Sequence, residues 1–350
     1  MIAQFAIPYS QFQYYLYNMM KKLFFTGLIA LAFSGLNAQT AEQLRQAAKT
    51  FTQQKDFGNA VLVLNRALQQ EPANIEVLKD LAVNYNFEGY YQKGLDAIKP
   101  VLDNEHADDQ CFLIAGSINK QLGDQEEEEK IYKQGLKRFP GSGPLYNALG
   151  EVQFANKNFD AIKNWEKGIQ LDPSYSRNYF NAARYYYLST DKVWSILYGE
   201  IFVSMEPYGS KTGEMKQLLA DSYKKLFAGV DIEKDNKDKS DFVKQYLSVM
   251  NKESALIKNG ITPESLTALR TKFITDWFAT PGRPAFKLFD HQQQLISQGA
   301  FEAYNQWLFG PTANLSAYQN WINTHQKEMD AFIAFAKNSV FKMPGGQYYR

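Results

Sequence analysis

The chain has 350 residues, which is enough for two domains of ordinary size or for one elongated repeat array. Its 38 Lys and Arg residues and 37 Asp and Glu residues leave a net charge of +1, which excludes both the strongly basic surface of a nucleic-acid-binding protein and a polyanionic tail. An apolar fraction of 45% excludes wholesale disorder, and the single cysteine, Cys111, excludes an intramolecular disulfide framework and a cysteine-rich metal site.

Residues 20–38 have the three parts of an export signal. Lys21 and Lys22 precede an uncharged apolar run over 23–33, and mostly small or polar residues follow it up to Ala38. This order is typical of a secretory signal peptide. We therefore predict a signal peptide over 20–38 and export to the periplasm or secretion, with a buried N-terminal helix as the alternative.

The flanks of this segment add three expectations. The apolar run is too short to cross a bilayer, for which a helix needs about 20 residues, so no membrane span is expected in the mature chain. Residues 1–19 carry no charge and precede a complete signal, which suggests a misplaced translation start or an unusually long n-region. The residue after Ala38 is Gln39, which excludes a cysteine-linked lipid anchor at that position.

Downstream of the signal, a unit of about 34 residues repeats between residue 41 and about residue 207. Regularly spaced prolines follow helix-like segments, which a proline cannot extend. The first half of each unit places apolar or small residues on one helix face. These features are carried by Pro72, Pro140, Pro173 and Pro207 and by sets such as Tyr146, Leu149, Gly150 and Tyr179, Ala182, Ala183, Tyr186. Each unit is therefore predicted to be a helical hairpin.

This pattern resembles the tetratricopeptide repeat (TPR) family. The resemblance is carried by Tyr146-x2-Leu149-Gly150, Tyr179-x2-Ala182-Ala183-x2-Tyr186, Ala60, Ala67 and the spaced prolines. It implies an all-α fold in which about five hairpins wind into a right-handed α-α superhelix, a TPR solenoid with a concave inner face. We predict a TPR array over 41–227, in which the amphipathic segment 210–227 is a degenerate unit that caps the stack.

The last third of the chain is predicted to be a C-terminal helical domain. Residues 228–240 are charged and poor in large apolar residues, which indicates a linker. Residues 241–340 are rich in aromatic residues, and 341–350 are interpreted as a tail. Helical stripes include Leu266, Leu269, Phe273 and Trp277. We expect a break at Gly310-Pro311 and then one long helix that includes Tyr318 and Ile333.

Nothing in the sequence points to catalysis. The H-E-x-x-H, G-x-S-x-G and paired C-x-x-C motifs do not occur. His106 lies in an acidic inter-repeat turn and His325 lies beside an apolar stripe, positions typical of a solvated and a core-edge histidine. We therefore predict no catalytic residues, no metal site, no cofactor and no enzymatic activity.

The resemblance implies that the first helix of each unit forms the concave face of the stack. An asparagine side chain can donate and accept hydrogen bonds as a peptide backbone does, and an arginine can bind a carboxylate through two hydrogen bonds. We therefore predict a groove that binds a protein or peptide partner. Its residues are Asn147, Glu151, Phe154, Arg177, Asn181, Arg184 and Tyr187. The alternative is that these side chains only solvate the inner face.

These observations favour an exported interaction module, a scaffold or adaptor that does not bind nucleic acid. One alternative is an enzyme or small-molecule binder with a pocket in the C-terminal domain, lined by Trp277, Arg283, Asp290 and His291. Another is a structural component of an envelope assembly. The sequence does not determine the oligomeric state.

Overall fold

The computed structural model describes residues 39–229 and 231–350, so the predicted misplaced start and signal peptide lie outside the described residues. Within this part of the chain every regular element is a helix and there is no strand. The all-α prediction is confirmed. The helices belong to two compact units, one formed by residues up to Ala97 and the other by residues from Ile98 onwards.

From Ala41 to Met205 the chain forms five consecutive helix pairs, and each pair corresponds to one predicted repeat unit. The helices are α1 Ala41–Gln53, α2 Phe57–Gln70, α3 Ile75–Phe87, α4 Tyr91–Leu102, α5 Asp109–Leu122, α6 Gln125–Arg138, α7 Gly143–Ala155, α8 Ala161–Leu171, α9 Ser176–Leu188 and α10 Lys192–Met205.

Polar N-cap residues fix where several of these helices begin. The side chains of Asn74, Asp108 and Ser142 each accept a hydrogen bond from the backbone N–H three residues later, at 3.1, 3.2 and 3.3 Å. Such a bond satisfies one of the four N–H groups that have no partner in the first turn of a helix. These caps begin α3, α5 and α7, so the sequence repeat is also a repeat of helix starts.

Glycines let the two helices of a pair approach closely. A Cβ atom at Gly116 of α5 would lie 2.2 Å from the ring of Tyr132 on α6. A Cβ atom at Gly150 of α7 would lie 2.3 Å from the indole Nε1 of Trp165 on α8. A larger residue at either glycine would force the paired helices apart. The recurrence of a glycine and a large aromatic residue in the sequence therefore reflects close packing within a hairpin.

Beyond the fifth pair the chain stays helical. The elements are α11 Thr212–Leu226, α12 Ile232–Asp235, α13 Asp241–Lys252, a 3-10 turn at Ser254–Ile257, α14 Pro263–Ala279, α15 Lys287–Ser297, α16 Phe301–Ala313, α17 Leu315–Thr324 and α18 Gln326–Asn338. The predicted stripe of α14, from Leu266 to Trp277, is buried in the core.

Two predictions about the last helices are wrong. Helix α16 passes through Gly310 and Pro311 without a break. Pro311 has no N–H to offer the carbonyl of Trp307, and Lys216 Nζ donates to that carbonyl at 2.9 Å instead. The expected long last helix is in fact two helices, α17 and α18, which are separated by His325.

A continuous apolar core extends from Ala161 of α8 to Met343. Helix α10 lies within this core and is buried around nearly its whole circumference, with buried residues at every position from Val193 to Val203. Because the core includes residues of α8 to α10 and of α13 to α16, these pairs and the C-terminal helices are packed together.

The segments predicted as a linker (228–240) and a tail (341–350) are exposed at many positions, but each also contributes residues to the packing. Asp238 is buried and accepts a hydrogen bond from Trp194 Nε1 at 2.7 Å. Near the end of the chain, Tyr349 stacks on Phe242 with ring centroids 4.7 Å apart. Arg350 donates to Tyr186 OH at 2.8 Å and to Asp238 at 2.9 Å. Hydrogen bonds from these distant partners allow the charged Asp238 side chain to be buried, whereas Arg350 itself stays exposed.

Candidate functional site

A cavity of about 510 Å³ lies among α5, α7, α9 and α11. It is lined by Lys120, Glu151, Phe154, Ala155, Trp165, Asn181, Arg184, Tyr185, Tyr187, Leu188, Glu214 and Leu218. Five of the seven predicted groove residues are in this lining, whereas Asn147 and Arg177 are not. Because Ala155, Arg184 and Leu188 are exposed, the cavity is open to solvent.

One wall of the cavity is held by a hydrogen-bond network between α7 and α9. Asn181 Nδ2 donates to Asn147 Oδ1 at 2.9 Å and to Glu151 Oε1 at 3.1 Å. Asn147 Nδ2 donates to the same Glu151 oxygen at 3.1 Å. Both asparagines are buried, and their N–H groups hold the Glu151 carboxylate rather than an incoming backbone. Asn147 therefore has a positioning role behind the wall.

An aromatic cluster centred on Phe154 forms a second part of the wall. The Phe154 ring lies 5.6 Å from Trp165, 6.1 Å from Phe159 and 6.4 Å from Tyr185, measured between ring centroids. These separations are within the range in which aromatic pairs attract each other. Trp165 is fixed further by a hydrogen bond from Nε1 to the carbonyl oxygen of Asn147 at 3.3 Å. Phe154, Trp165 and Tyr185 of this cluster present an apolar surface to the cavity.

The two predicted arginines have different surroundings. Arg184 Nε lies 3.4 Å from Glu214 Oε1, and its guanidinium group lies 5.4 Å from the centre of the Phe180 ring. Arg177 Nε lies 3.9 Å from Glu206 Oε1, away from the residues of the cavity lining. The structure therefore brings Arg184 to the cavity and does not bring Arg177 there.

Several lining residues were missed because the sequence projection used only the first helices of the five complete units. Trp165 comes from the second helix of its pair, and Glu214 and Leu218 come from α11. A sequence signal existed for Trp165, because it recurs at the position of Tyr132 one repeat earlier. For Glu214 no local signal existed, since its role depends on how α11 packs on the last hairpin.

The residues considered for a site in the C-terminal domain are not brought together. Trp277 is core, with its ring centroid 4.9 Å from that of Phe289. Arg283 is exposed and lies over Phe278 at 4.5 Å. His291 lines a separate cavity of about 120 Å³. Burial, with a smaller contribution from the charge of Lys287, lowers the pKa of His291 to about 4, so its ring is neutral at neutral pH.

A larger cavity, of about 690 Å³, lies between the start of α14 and helices α16 and α17. Its apolar lining includes Phe309, Tyr318 and Trp321. Its polar lining includes Glu264 and Gln306, and Gln306 Nε2 donates to Glu264 Oε1 at 2.8 Å. A volume in this range is typical of small-molecule sites.

A buried ion pair links α10 to the C-terminal helices. Arg270 of α14 donates to Glu200 of α10, and the two residues are 2% and 1% exposed. Glu200 also accepts from Gln292 Nε2 at 2.6 Å and from Tyr304 OH at 2.8 Å. The adjacent void is about 10 Å³, room for about one water molecule, so this network is structural.

Neither a cluster of metal ligands nor a membrane-spanning helix occurs within residues 39–229 and 231–350. In that range no three or more His, Cys, Asp or Glu side chains are grouped as a metal ion would require. In the same range, no helix has both the length and the apolar character needed to cross a membrane.

No protein-family model matches the chain. The chain is 27% identical over 188 residues to the BBSome complex member BBS4 of Bos taurus, which covers 49% of this chain and 33% of that protein. It is 23% identical over 130 residues to the TPR repeat-containing protein YpiA of Bacillus subtilis, which covers 36% of this chain and 30% of that protein. The chain thus spans a third or less of the length of these curated relatives.

Solved structures of TPR proteins are also similar to the chain. A TPR protein from Parabacteroides merdae matches with 17% identity and a TM-score of 0.42, over 79% of this chain and 100% of that one. A thermophilic TPR protein from Thermus thermophilus matches with 14% identity and a TM-score of 0.43, over 53% of this chain and 99% of that one. The repeat of about 34 residues, the consecutive helix pairs and the similarity to a TPR repeat-containing relative give the chain a TPR-like fold.

Proposed function

We propose that this protein is an exported, non-enzymatic scaffold or adaptor that binds a peptide segment of a partner protein in the cavity between α7, α9 and α11. The observation that carries the proposal is the convergence of five predicted groove residues on one open cavity of about 510 Å³. An aromatic surface beside fixed polar groups is the composition found in pockets that hold a ligand in one orientation.

Site-specific photo-crosslinking tests the groove. A photoreactive amino acid replaces Ala155 or Leu188, which are exposed and line the cavity, or Leu171 as a control, which is exposed on α8 outside the lining. We expect the two groove positions to capture the same partner and the control position not to capture it. Adding Arg184→Glu should reduce the groove crosslinks. A partner captured equally at all three positions would contradict the proposal.

Export is tested separately from binding. A reporter enzyme that is active only outside the cytoplasm, fused after the mature chain, should be active when residues 20–38 are present and inactive when they are deleted. N-terminal sequencing of the exported protein should begin at Gln39. Reporter activity that survives the deletion would contradict the signal assignment and leave the groove proposal unaffected.

A second candidate function is small-molecule binding in the cavity of about 690 Å³ beside α14, α16 and α17. The observation that favours it is the combination of an aromatic lining with a small number of polar groups. A thermal-shift screen of apolar compounds tests this candidate on the wild type and on Trp321→Ala. A compound that raises the melting temperature of the wild type and not of the variant would support it. Equal shifts in both proteins would reject it.

A further inference from the structure

Glu151 differs from Glu214, the other acidic side chain that lines the groove. Arg184 and Glu214 are paired with each other at 3.4 Å. Lys120 also lines the groove, and among the described residues no carboxylate oxygen lies within 4.0 Å of its Nζ atom. Burial raises the pKa of Glu128, and the Lys120 charge offsets part of that rise. Glu151 has no Lys, Arg or His nitrogen within 4.0 Å among the residues that the structure describes. No direct ion pair within this part of the protein therefore offsets its charge.

The Glu151 carboxylate is nevertheless held in a fixed position. Its Oε1 atom accepts hydrogen bonds from the side-chain amides of Asn147 and Asn181, both at 3.1 Å. These donors are neutral amides, so they orient the carboxylate without cancelling its charge. Its negative field is felt nearby, because burial and then the charges of Glu128 and Glu151 raise the pKa of Tyr132. Glu151 itself is exposed at the cavity, so a bound ligand can reach its other oxygen.

An apolar surface lies on the same side of the helix. Phe154 is three residues after Glu151 on α7, and residues three apart are neighbours on one helix face. Trp165 and Tyr185 continue this surface around Phe154. A lysine or arginine side chain combines an apolar stem with a cationic head, so it matches a carboxylate that stands beside an aromatic surface.

We infer that the groove selects a partner segment that carries a Lys or Arg side chain, whose stem lies on Phe154 and whose cationic head pairs with Glu151. This inference rests on the proposed function, because it specifies what the groove binds. In this arrangement Glu151 selects the partner segment by its charge. The aromatic cluster contacts the segment without requiring a particular sequence.

Selection from a phage-displayed library of random 12-residue peptides tests the inference, with the full chain from Gln39 as bait. Peptides enriched by the wild type should contain Lys or Arg next to an apolar residue. The best synthetic peptide should bind Glu151→Gln about tenfold more weakly, which is about 1.4 kcal/mol, and its affinity for the wild type should fall with added salt. The Gln side chain keeps an acceptor for Asn147 and Asn181, so thermal unfolding should be unchanged.

Glu214→Gln is the matched control. It removes the same charge from the same cavity, but at a residue that already has an arginine partner. We expect it to change peptide affinity by less than about threefold, in keeping with the small net contribution of an exposed ion pair.

The outcomes separate the inference from the proposed function. If enriched peptides lose binding to Phe154→Ala but lack basic residues and bind Glu151→Gln as well as wild type, the cation preference is overturned and groove binding stands. If substitutions at Phe154, Glu151 and Arg184 weaken the binding of none of the enriched peptides, both the inference and the proposed function are overturned. If both acidic variants weaken binding equally, the charge of the cavity matters as a whole and the role assigned to Glu151 is wrong.

Discussion

Removing the Arg270 side chain should lower the stability of the second unit more than removing any exposed arginine side chain. Arg270 and Glu200 are 2% and 1% exposed, so neither charge is solvated in the folded protein. Breaking a buried ion pair by removing one partner costs about 3–5 kcal/mol, because the other charge stays buried. In Arg270→Met, Gln292 and Tyr304 still donate to Glu200, so we expect the lower end, about 3 kcal/mol.

Urea denaturation followed by tryptophan fluorescence measures this loss. All five tryptophans lie after residue 98, so the signal reports on the second unit. With a slope of about 3 kcal/mol per molar urea, the midpoint should fall by about 1 M. Arg184→Met is the control: its pair with Glu214 is exposed, and its midpoint should fall by less than about 0.3 M.

A double variant tests the cause of the effect. Glu200→Gln combined with Arg270→Met leaves neither charge in the core, and it should be more stable than Arg270→Met alone by at least about 1 kcal/mol. Equal midpoint shifts for Arg270→Met and Arg184→Met, or additive losses in the double variant, would refute the reasoning.

Three further predictions concern packing, pH and the end of the chain. Gly150→Ala should lower stability by about 1–3 kcal/mol because its Cβ would lie 2.3 Å from Trp165, whereas Gly213→Ala in α11, with open space around it, should be neutral or stabilising in the same urea assay. The pKa of His291 is about 4 in the folded protein and near 6.5 in the unfolded chain, so between these pH values the unfolded chain binds a proton that the folded protein does not bind. The free energy of unfolding should therefore fall by up to about 3 kcal/mol as the pH drops from 6.5 to 4. His291→Gln should abolish this contribution to the pH dependence of stability. Arg350→Ala removes two charge-assisted hydrogen bonds and should cost about 1–2 kcal/mol, and an unchanged urea midpoint would contradict the packing described for 341–350.

The repeat array was predictable because its signals are local. A polar N-cap such as Asn74 or Ser142 acts within one helical turn, and the glycine-aromatic match of Gly150 and Trp165 repeats along the chain. These signals need no knowledge of distant contacts, so the helix pairs of α1 to α10 follow from sequence.

The errors arise where distant residues supply a partner. The break predicted at Pro311 does not occur, because Lys216, far away in sequence, satisfies the carbonyl of Trp307. Asp238, in the charged segment 228–240, is buried because Trp194, far away in sequence, donates a hydrogen bond to it. At the groove, the predicted residues Glu151, Phe154 and Asn181 line the cavity, but the projection could not include Glu214, which α11 contributes.

Burial of α10 sets a limit on how this array could grow. In a simple stack the last helix pair has one covered and one open side, and a further unit can be added to the open side. Here α10 is already buried around nearly its whole circumference, and its Glu200 side chain accepts hydrogen bonds from Arg270, Gln292 and Tyr304. A unit inserted after Met205 would have to displace that network. This buried hydrogen-bond network therefore limits the number of repeats at this end, and duplication or engineered extension of the array is not expected to succeed there.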